Sequence, residues 1–116
     1  MADTSIFSRI IDREIPATIQ YEDDEFIAIN DIKPLAPIHV LLIPKKPYKT
    51  LEEVELADEK FHARYLQLAR EIAQKLGISE NYKIMMNVGE QVQLVHHVHM
   101  HILGGWDQTA GAETLA

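Results

Sequence analysis

Four of the six histidines in this 116-residue chain lie between positions 96 and 101. We predict a strand over 95–103, and side chains alternate between the two faces of a strand. His97, His99 and His101 would therefore form a row of three imidazoles on one face. The other face would carry His96, Val98, Met100 and Ile102.

Such a row can serve two kinds of chemistry. In a metal site, two of its histidines and His39 would bind one ion. All three cannot easily surround it, because residues 97 and 101 lie roughly 13 Å apart at about 3.3 Å per residue. In covalent catalysis, one imidazole is the nucleophile, a hydrogen bond fixes its other nitrogen, and neighbouring imidazoles contact the anion or protonate the leaving group. His62 and His96 are expected to be ordinary hydrogen-bonded residues in or near the core.

The elements that must position this row follow from the hydrophobic pattern. A short helix begins after Ser5 and ends before Pro16, and a long amphipathic helix runs from about Asp58 to Leu76. A loop with two prolines covers 31–37. This order of elements predicts an α+β fold with a mostly antiparallel sheet. The five predicted strands are Thr18–Tyr21, Glu25–Ile29, His39–Ile43, Tyr82–Met86 and Val95–Leu103.

Composition narrows the classes of function. The chain is 47% hydrophobic and 25% charged, which is typical of a folded protein, and its length suits one domain over 1–116. The net charge of -7 argues against nucleic-acid polymers and anionic membranes as partners. The absence of cysteine excludes disulfides, thiolate nucleophiles and Cys-based zinc sites. Residues 1–11 lack the features of a signal peptide, so we expect a cytoplasmic location.

The segment His97-Val98-His99-Met100-His101-Ile102-Leu103 resembles the signature of the histidine triad (HIT) superfamily, in which three histidines alternate with apolar residues. Three further segments look like the HINT branch, the purine nucleoside phosphoramidases. The resemblance covers residues 5–105, leaves 106–116 as a tail and implies a HIT-like five-stranded fold with one long and one short helix. The three segments are 6–16, 31–39 with 43–46, and the Gly-Gly pair at 104–105.

The resemblance also implies roles for the histidines. His99 would attack the α-phosphorus of a nucleotide, and water would then hydrolyse the nucleotidyl-imidazole intermediate. His101 would contact the phosphate, and His97, with His39 behind it, would support His99. No cofactor and no metal are implied. The resemblance further implies a homodimer in which two sheets join.

The substrate-binding residues come from the same resemblance. Asp31 would accept the ribose hydroxyls, although a carboxylate before two prolines can equally cap a turn. Leu94 occupies a position where the family usually has Ser or Thr, so a hydroxyl near the phosphate or leaving group is missing. Apolar positions around the base are Phe7, Ile10, Ile29 and Ile32, and polar positions near the phosphate and leaving group are Asn87 and Gln93.

These observations favour a nucleotide hydrolase that removes amine or acyl substituents from purine nucleoside 5′-monophosphates. Two other classes stay open. One is a nucleotide-binding or regulatory module without enzymatic activity, which Leu94 favours. The other is a metalloprotein with histidine ligands.

Overall fold

The structure is a computed structural model of the chain and describes residues 5–107, so the predicted tail lies outside the described residues from position 108 onward. Two helices, a short 3-10 helix and five strands follow one another along this part of the chain. No helix among these residues is both long and apolar enough to cross a membrane. The elements are α1 (Ile6–Ile11), β1 (Ile19–Glu22), β2 (Phe26–Asn30), β3 (Ile38–Pro44), the 3-10 helix (Leu51–Glu53), α2 (Glu59–Lys75), β4 (Tyr82–Met85) and β5 (Met100–Gly104).

The five strands form one antiparallel sheet in the order β1-β2-β3-β5-β4. The sheet, the long helix and the short helix confirm the predicted α+β fold. The sequence pattern did not reveal the 3-10 helix, whose three residues are too few to show a period. Because β3 and β5 are neighbours, residues far apart in the sequence lie side by side in the middle of the sheet.

The two faces of the sheet pack against different helices. On β2, Phe26 and Ala28 pack with α2, whereas Ile27 and Ile29 pack with α1. This split is the strand alternation of period two applied to a sheet covered on both faces. The free backbone amides at the start of α2 are capped locally, because the Asp58 side chain accepts a hydrogen bond from the amide of Phe61. The α1 face is the one that carries the histidines.

The prediction that the last strand begins at Val95 is wrong, because β5 begins at Met100. The register pairs Leu42 with Met100, which would place Pro44 opposite Val98. Proline has no amide hydrogen, so the ladder cannot continue there. Instead, the amide of Val98 donates to the carbonyl of Tyr48 at 2.9 Å. The histidine row therefore starts in irregular chain and enters the sheet only after His99.

The alternation around the row holds in part. Val98, Met100 and Ile102 pack into the α2 side of the core, as predicted. His96, which was expected in or near the core, is exposed. His62 is exposed as well, and its Nδ1 lies 2.6 Å from the Asp58 carbonyl at the start of α2. Both histidines lie outside the core, because His96 lies on the irregular segment before β5 and His62 lies on the exposed face of α2.

Candidate active site

A cleft of about 420 Å³ opens between α1, the loop after β2 and the loop that precedes β5. Its floor is the α1 face of the sheet. Nine of the twelve residues proposed from the sequence line it, whereas His39, His97 and Gln93 do not. Among the described residues that line the cleft there is no lysine or arginine. The nine are Phe7, Ile10, Ile29, Asp31, Ile32, Asn87, Leu94, His99 and His101.

His99 lies in the cleft wall with only 8% of its surface exposed. Its Nδ1 lies 2.7 Å from the backbone carbonyl of His97. A carbonyl only accepts, so Nδ1 carries the proton and Nε2 of the neutral ring carries a lone pair. The Phe7 ring packs edge-on against the imidazole, with the ring centroids 4.9 Å apart. Burial lowers the pKa of His99, which keeps the ring neutral and nucleophilic near pH 7.

His97 is fully buried behind His99 and connects three elements. Its Nε2 donates to the carbonyl of Pro44, at the end of β3, over 2.8 Å. On the other side of the ring, Nδ1 lies 3.1 Å from the hydroxyl of Ser5 and 3.4 Å from that of Ser8, at the start of α1. The side chain thus holds the backbone carbonyl that orients His99. The two serines belong to the site architecture, although the sequence marked Ser5 only as the start of a helix.

His39 lies behind His101, and the prediction that it lies behind His97 is wrong. His39 Nε2 is 2.8 Å from His101 Nδ1. In the β3–β5 register His101 pairs with Leu41, and His39 lies on the same face of β3 two residues away. His97 precedes β5 and cannot reach this pair. Burial, followed by the charges of His99 and His39, lowers the pKa of His101 to about 4, so this ring is also neutral near pH 7.

Asp31 performs the turn-capping role that the sequence allowed and still faces the cleft. One carboxylate oxygen accepts the amide of Lys33 at 2.8 Å. The other lies 3.5 Å from His39 Nε2. The Asp31 amide donates to the carbonyl of His39, which anchors the start of the loop to β3. One oxygen is therefore committed to the turn, and the second is the one available to a ligand.

Gln93 is buried and its amide group is fully engaged by backbone atoms. Its Oε1 accepts the amide of Gly89 at 2.8 Å, and its Nε2 donates to the carbonyls of Lys49 and Val95 at 3.0 and 3.1 Å. These bonds shape the loop that carries Asn87 and Leu94 to the cleft. The structure thus places Gln93 beneath the cleft wall, whereas the sequence placed it near the phosphate.

Apart from Asn30 and Asn87, the rest of the cleft is apolar. Ile29 is buried in its floor and Phe7 and Ile10 are buried on its α1 side. Ile32 and Leu94 lie exposed at its mouth. The sequence did not single out several other lining residues, which look like ordinary core positions until the elements come together. These are Ile6, Ile15, Pro16, Ala17, Leu35, Leu41, Met85 and Val95.

Asp31, His39 and His101 bring three potential metal ligands together. One potential ligand atom from each lies within 4.8 Å of the others. However, the backbone amide of Leu35 donates to His39 Nδ1 at 3.0 Å, so this ring carries its proton on Nε2, the atom that faces the group. A metal ion at Nε2 would require loss of that proton or of the Leu35 bond. The donor set does not fit a metal ion as it stands.

Comparison with known proteins decides the family. The family model for the HIT domain matches residues 12–108. This chain belongs to the HIT domain family. A purine nucleoside phosphoramidase of Escherichia coli K12 is 44% identical over 107 residues, covering 90% of each chain. An uncharacterised HIT-like protein of Synechocystis is 49% identical over 106 residues, which cover 90% of this chain and 93% of the relative.

Solved structures agree with the fold. A HIT family hydrolase from Clostridium thermocellum superposes with a TM-score of 0.84 at 40% identity, covering 92% of this chain and 95% of the other. A histidine triad protein from Clostridium difficile also gives 0.84, at 34% identity over 93% of this chain and 96% of its own. The HIT-like arrangement predicted from the histidine pattern is therefore confirmed.

Proposed function

We propose that this HIT-domain protein hydrolyses purine nucleoside 5′-monophosphates that carry an amine on phosphorus or an acyl group on a phosphate oxygen. One observation carries the proposal: the proton on His99 Nδ1 is committed to the His97 carbonyl, which leaves the Nε2 lone pair at the cleft wall. A nucleophilic imidazole needs this arrangement. The proposed reaction uses no cofactor and no metal ion.

The reaction follows from this geometry in two steps. His99 Nε2 forms a bond to phosphorus while phosphorus loses its bond to the amine nitrogen, or to the carboxylate oxygen that carries the acyl group. The leaving group departs with the electron pair of that bond, and the amine takes a proton from water, which the water consumed in the second step replaces. Water then attacks phosphorus, the bond to Nε2 breaks, and the products are the nucleoside monophosphate and free His99. The His97 carbonyl accepts the Nδ1 hydrogen throughout, so it stabilises the positive charge that the ring gains in the intermediate.

The cleft suits a nucleoside monophosphate in three respects. Its apolar surface, formed by Phe7 and Ile10 of α1 and Ile29 of the sheet, can cover the faces of a purine. The second oxygen of Asp31 can accept ribose hydroxyls. Among the described residues the wall offers one imidazole donor, His101, and no lysine or arginine. This matches a single phosphate better than a chain of phosphates, which would bring several charges. The name of the Escherichia coli relative supports the same substrate class.

We also infer a homodimer in the cytoplasm. β4 lies at the edge of the sheet and pairs only with β5 among the described strands. The exposed side chains of Ile84 and Met85 lie on this edge. An open, apolar edge is where the sheet of a second copy would join. Light scattering after size-exclusion chromatography tests this directly, since a monomeric mass at micromolar concentration contradicts it.

Turnover of adenosine 5′-phosphoramidate tests the proposed activity. We expect the wild-type protein to release AMP and His99→Asn to lower kcat by at least about a hundredfold, with AMP affinity nearly unchanged. His62→Asn is the matched control because His62 is exposed on α2, away from the cleft. Rapid quenching should give a covalent adduct with the mass of one nucleoside monophosphate on His99.

The alternatives give different results in the same experiment. AMP binding without any turnover indicates a nucleotide-binding module. Turnover that depends on added zinc and is lost with a chelator indicates a metal site. Retention of more than a small fraction of kcat in His99→Asn overturns the assignment of the nucleophile.

A further inference from the structure

A chain of two hydrogen bonds runs from a surface loop through His39 to His101. The backbone amide of Leu35 lies 3.0 Å from His39 Nδ1, and His39 Nε2 lies 2.8 Å from His101 Nδ1. An amide nitrogen can only donate, so His39 Nδ1 must hold a lone pair. Burial lowers the pKa of His39 and keeps this ring neutral near pH 7, and its single proton therefore lies on Nε2.

The direction of the second bond follows from the first. His39 Nε2 donates, so His101 Nδ1 must accept. The neutral His101 ring has one proton, which must then lie on Nε2. The second oxygen of Asp31 is the competing acceptor for the His39 hydrogen, but it lies 3.5 Å away and the His101 nitrogen lies closer.

We infer that His39 is a positioning residue which, together with the amide of Leu35, holds His101 in the tautomer that presents an Nε2 hydrogen to the cleft. The consequence for catalysis rests on the proposed function. His101 would donate a hydrogen bond to a phosphoryl oxygen while uncharged, beside a His99 ring that is fixed in the opposite tautomer. Two neighbouring imidazoles thus take complementary roles, one as nucleophile and one as donor.

The loop over residues 31–37 restricts the direction of the Leu35 amide. The Leu35 side chain lies at the cleft and is 77% exposed, so its burial adds little to the stability of the core. The backbone amide of Leu35, in contrast, is bonded to the buried ring of His39. Pro34 precedes Leu35 and Pro37 follows two residues later. Each proline fixes its own φ near -65°, which restricts the directions in which the intervening amides can point. Asp31 anchors the start of the loop to the carbonyl of His39 itself.

Nitrogen-15 NMR of the histidine rings at neutral pH tests the inference without any substrate. In the wild-type protein we expect His101 with a protonated Nε2 and an unprotonated Nδ1. His39→Gln should preserve this state, since a glutamine amide can accept from Leu35 and donate to His101. His39→Met can do neither, so the shifts of the two His101 nitrogens should move towards each other as both tautomers become populated.

A second pair of variants removes the donor at the other end. Leu35→Pro lacks the amide hydrogen and Leu35→Ala keeps it, so only the proline variant should alter the His101 shifts. If Leu35→Pro does not fold, the two His39 variants still decide the question. A protonated Nδ1 on His101 in the wild-type protein, or unchanged His101 shifts in His39→Met, overturns the inference.

Turnover then tests the catalytic consequence separately. We expect His39→Met to lower kcat for adenosine 5′-phosphoramidate by about tenfold with little change in KM, and His39→Gln to restore it to within about threefold of wild type. A purely structural role would not distinguish these two variants in kcat alone. If the NMR result holds and the wild-type protein shows no turnover, the tautomer assignment stands and the proposed function fails.

Discussion

Replacing Gln93 with Met should destabilise the protein more than it impairs the chemistry. The substitution keeps the length of the side chain and removes all three hydrogen bonds of the amide. Lys49 is exposed, so water can satisfy its carbonyl after the change. The amide of Gly89 and the carbonyl of Val95 lose a partner in a partly buried loop.

The magnitude follows from these partners. Each neutral hydrogen bond contributes about 0.5–1.5 kcal/mol, and an unsatisfied buried group costs about 1–3 kcal/mol. With one carbonyl rehydrated and some apolar burial gained by methionine, we expect the free energy of unfolding to fall by about 2–3 kcal/mol. For a domain of this size that corresponds to a decrease in Tm of roughly 10 °C.

Denaturant unfolding and calorimetry measure this change, and phosphoramidate turnover at 20 °C is measured on the same preparation. Gln91→Met is the matched control, because it makes the same substitution at an exposed position two residues away and should leave Tm within about 2 °C of wild type. An unchanged Tm together with a kcat lowered more than about tenfold would refute the reasoning and would indicate that Gln93 contacts the substrate.

Three further predictions concern the cleft. Asp31→Ala should weaken AMP binding by about 1–3 kcal/mol and leave 2′,3′-dideoxy-AMP unaffected, and equal weakening of both in calorimetry would indicate the turn cap alone. Leu94→Ser should raise kcat/KM about tenfold if a new hydroxyl supplies about 1.4 kcal/mol at the transition state. Because the Leu94 side chain is fully exposed, Tm should not change, and a loss of stability without a gain in rate would show that Leu94 is structural. The pKa of His101 falls to about 4 on folding, so the unfolded chain binds the proton of this ring more tightly than the folded protein does. The free energy of unfolding should therefore be highest above pH 6.5 and decrease towards pH 4, by at most about 3 kcal/mol from this group. Urea titrations across this range should show a flatter dependence in His101→Gln.

The sequence alone determined the fold class and half of the residues that line the cleft. Hydrophobic periodicity predicted both helices, and runs of β-branched and aromatic residues bounded by turn signals predicted the five strands. Both signals are local to a segment, so a sequence displays them directly. The HIT resemblance singled out nine of the positions that line the cleft, including Asp31 on the loop and Phe7 on α1. These positions are defined by residue type and spacing, so they could be found without coordinates.

The tertiary structure decided which groups pair across the fold. The start of β5 depends on Pro44 of another strand, which has no amide hydrogen to offer. The partner of His39 depends on the β3–β5 register, and the role of Gln93 depends on three backbone groups from two loops. The direction of the His39–His101 and His97–Pro44 hydrogen bonds depends on both partners, and the partners are distant in the chain. The proton positions on the histidines, and with them the division of chemical roles, therefore became visible only when the strands lay side by side.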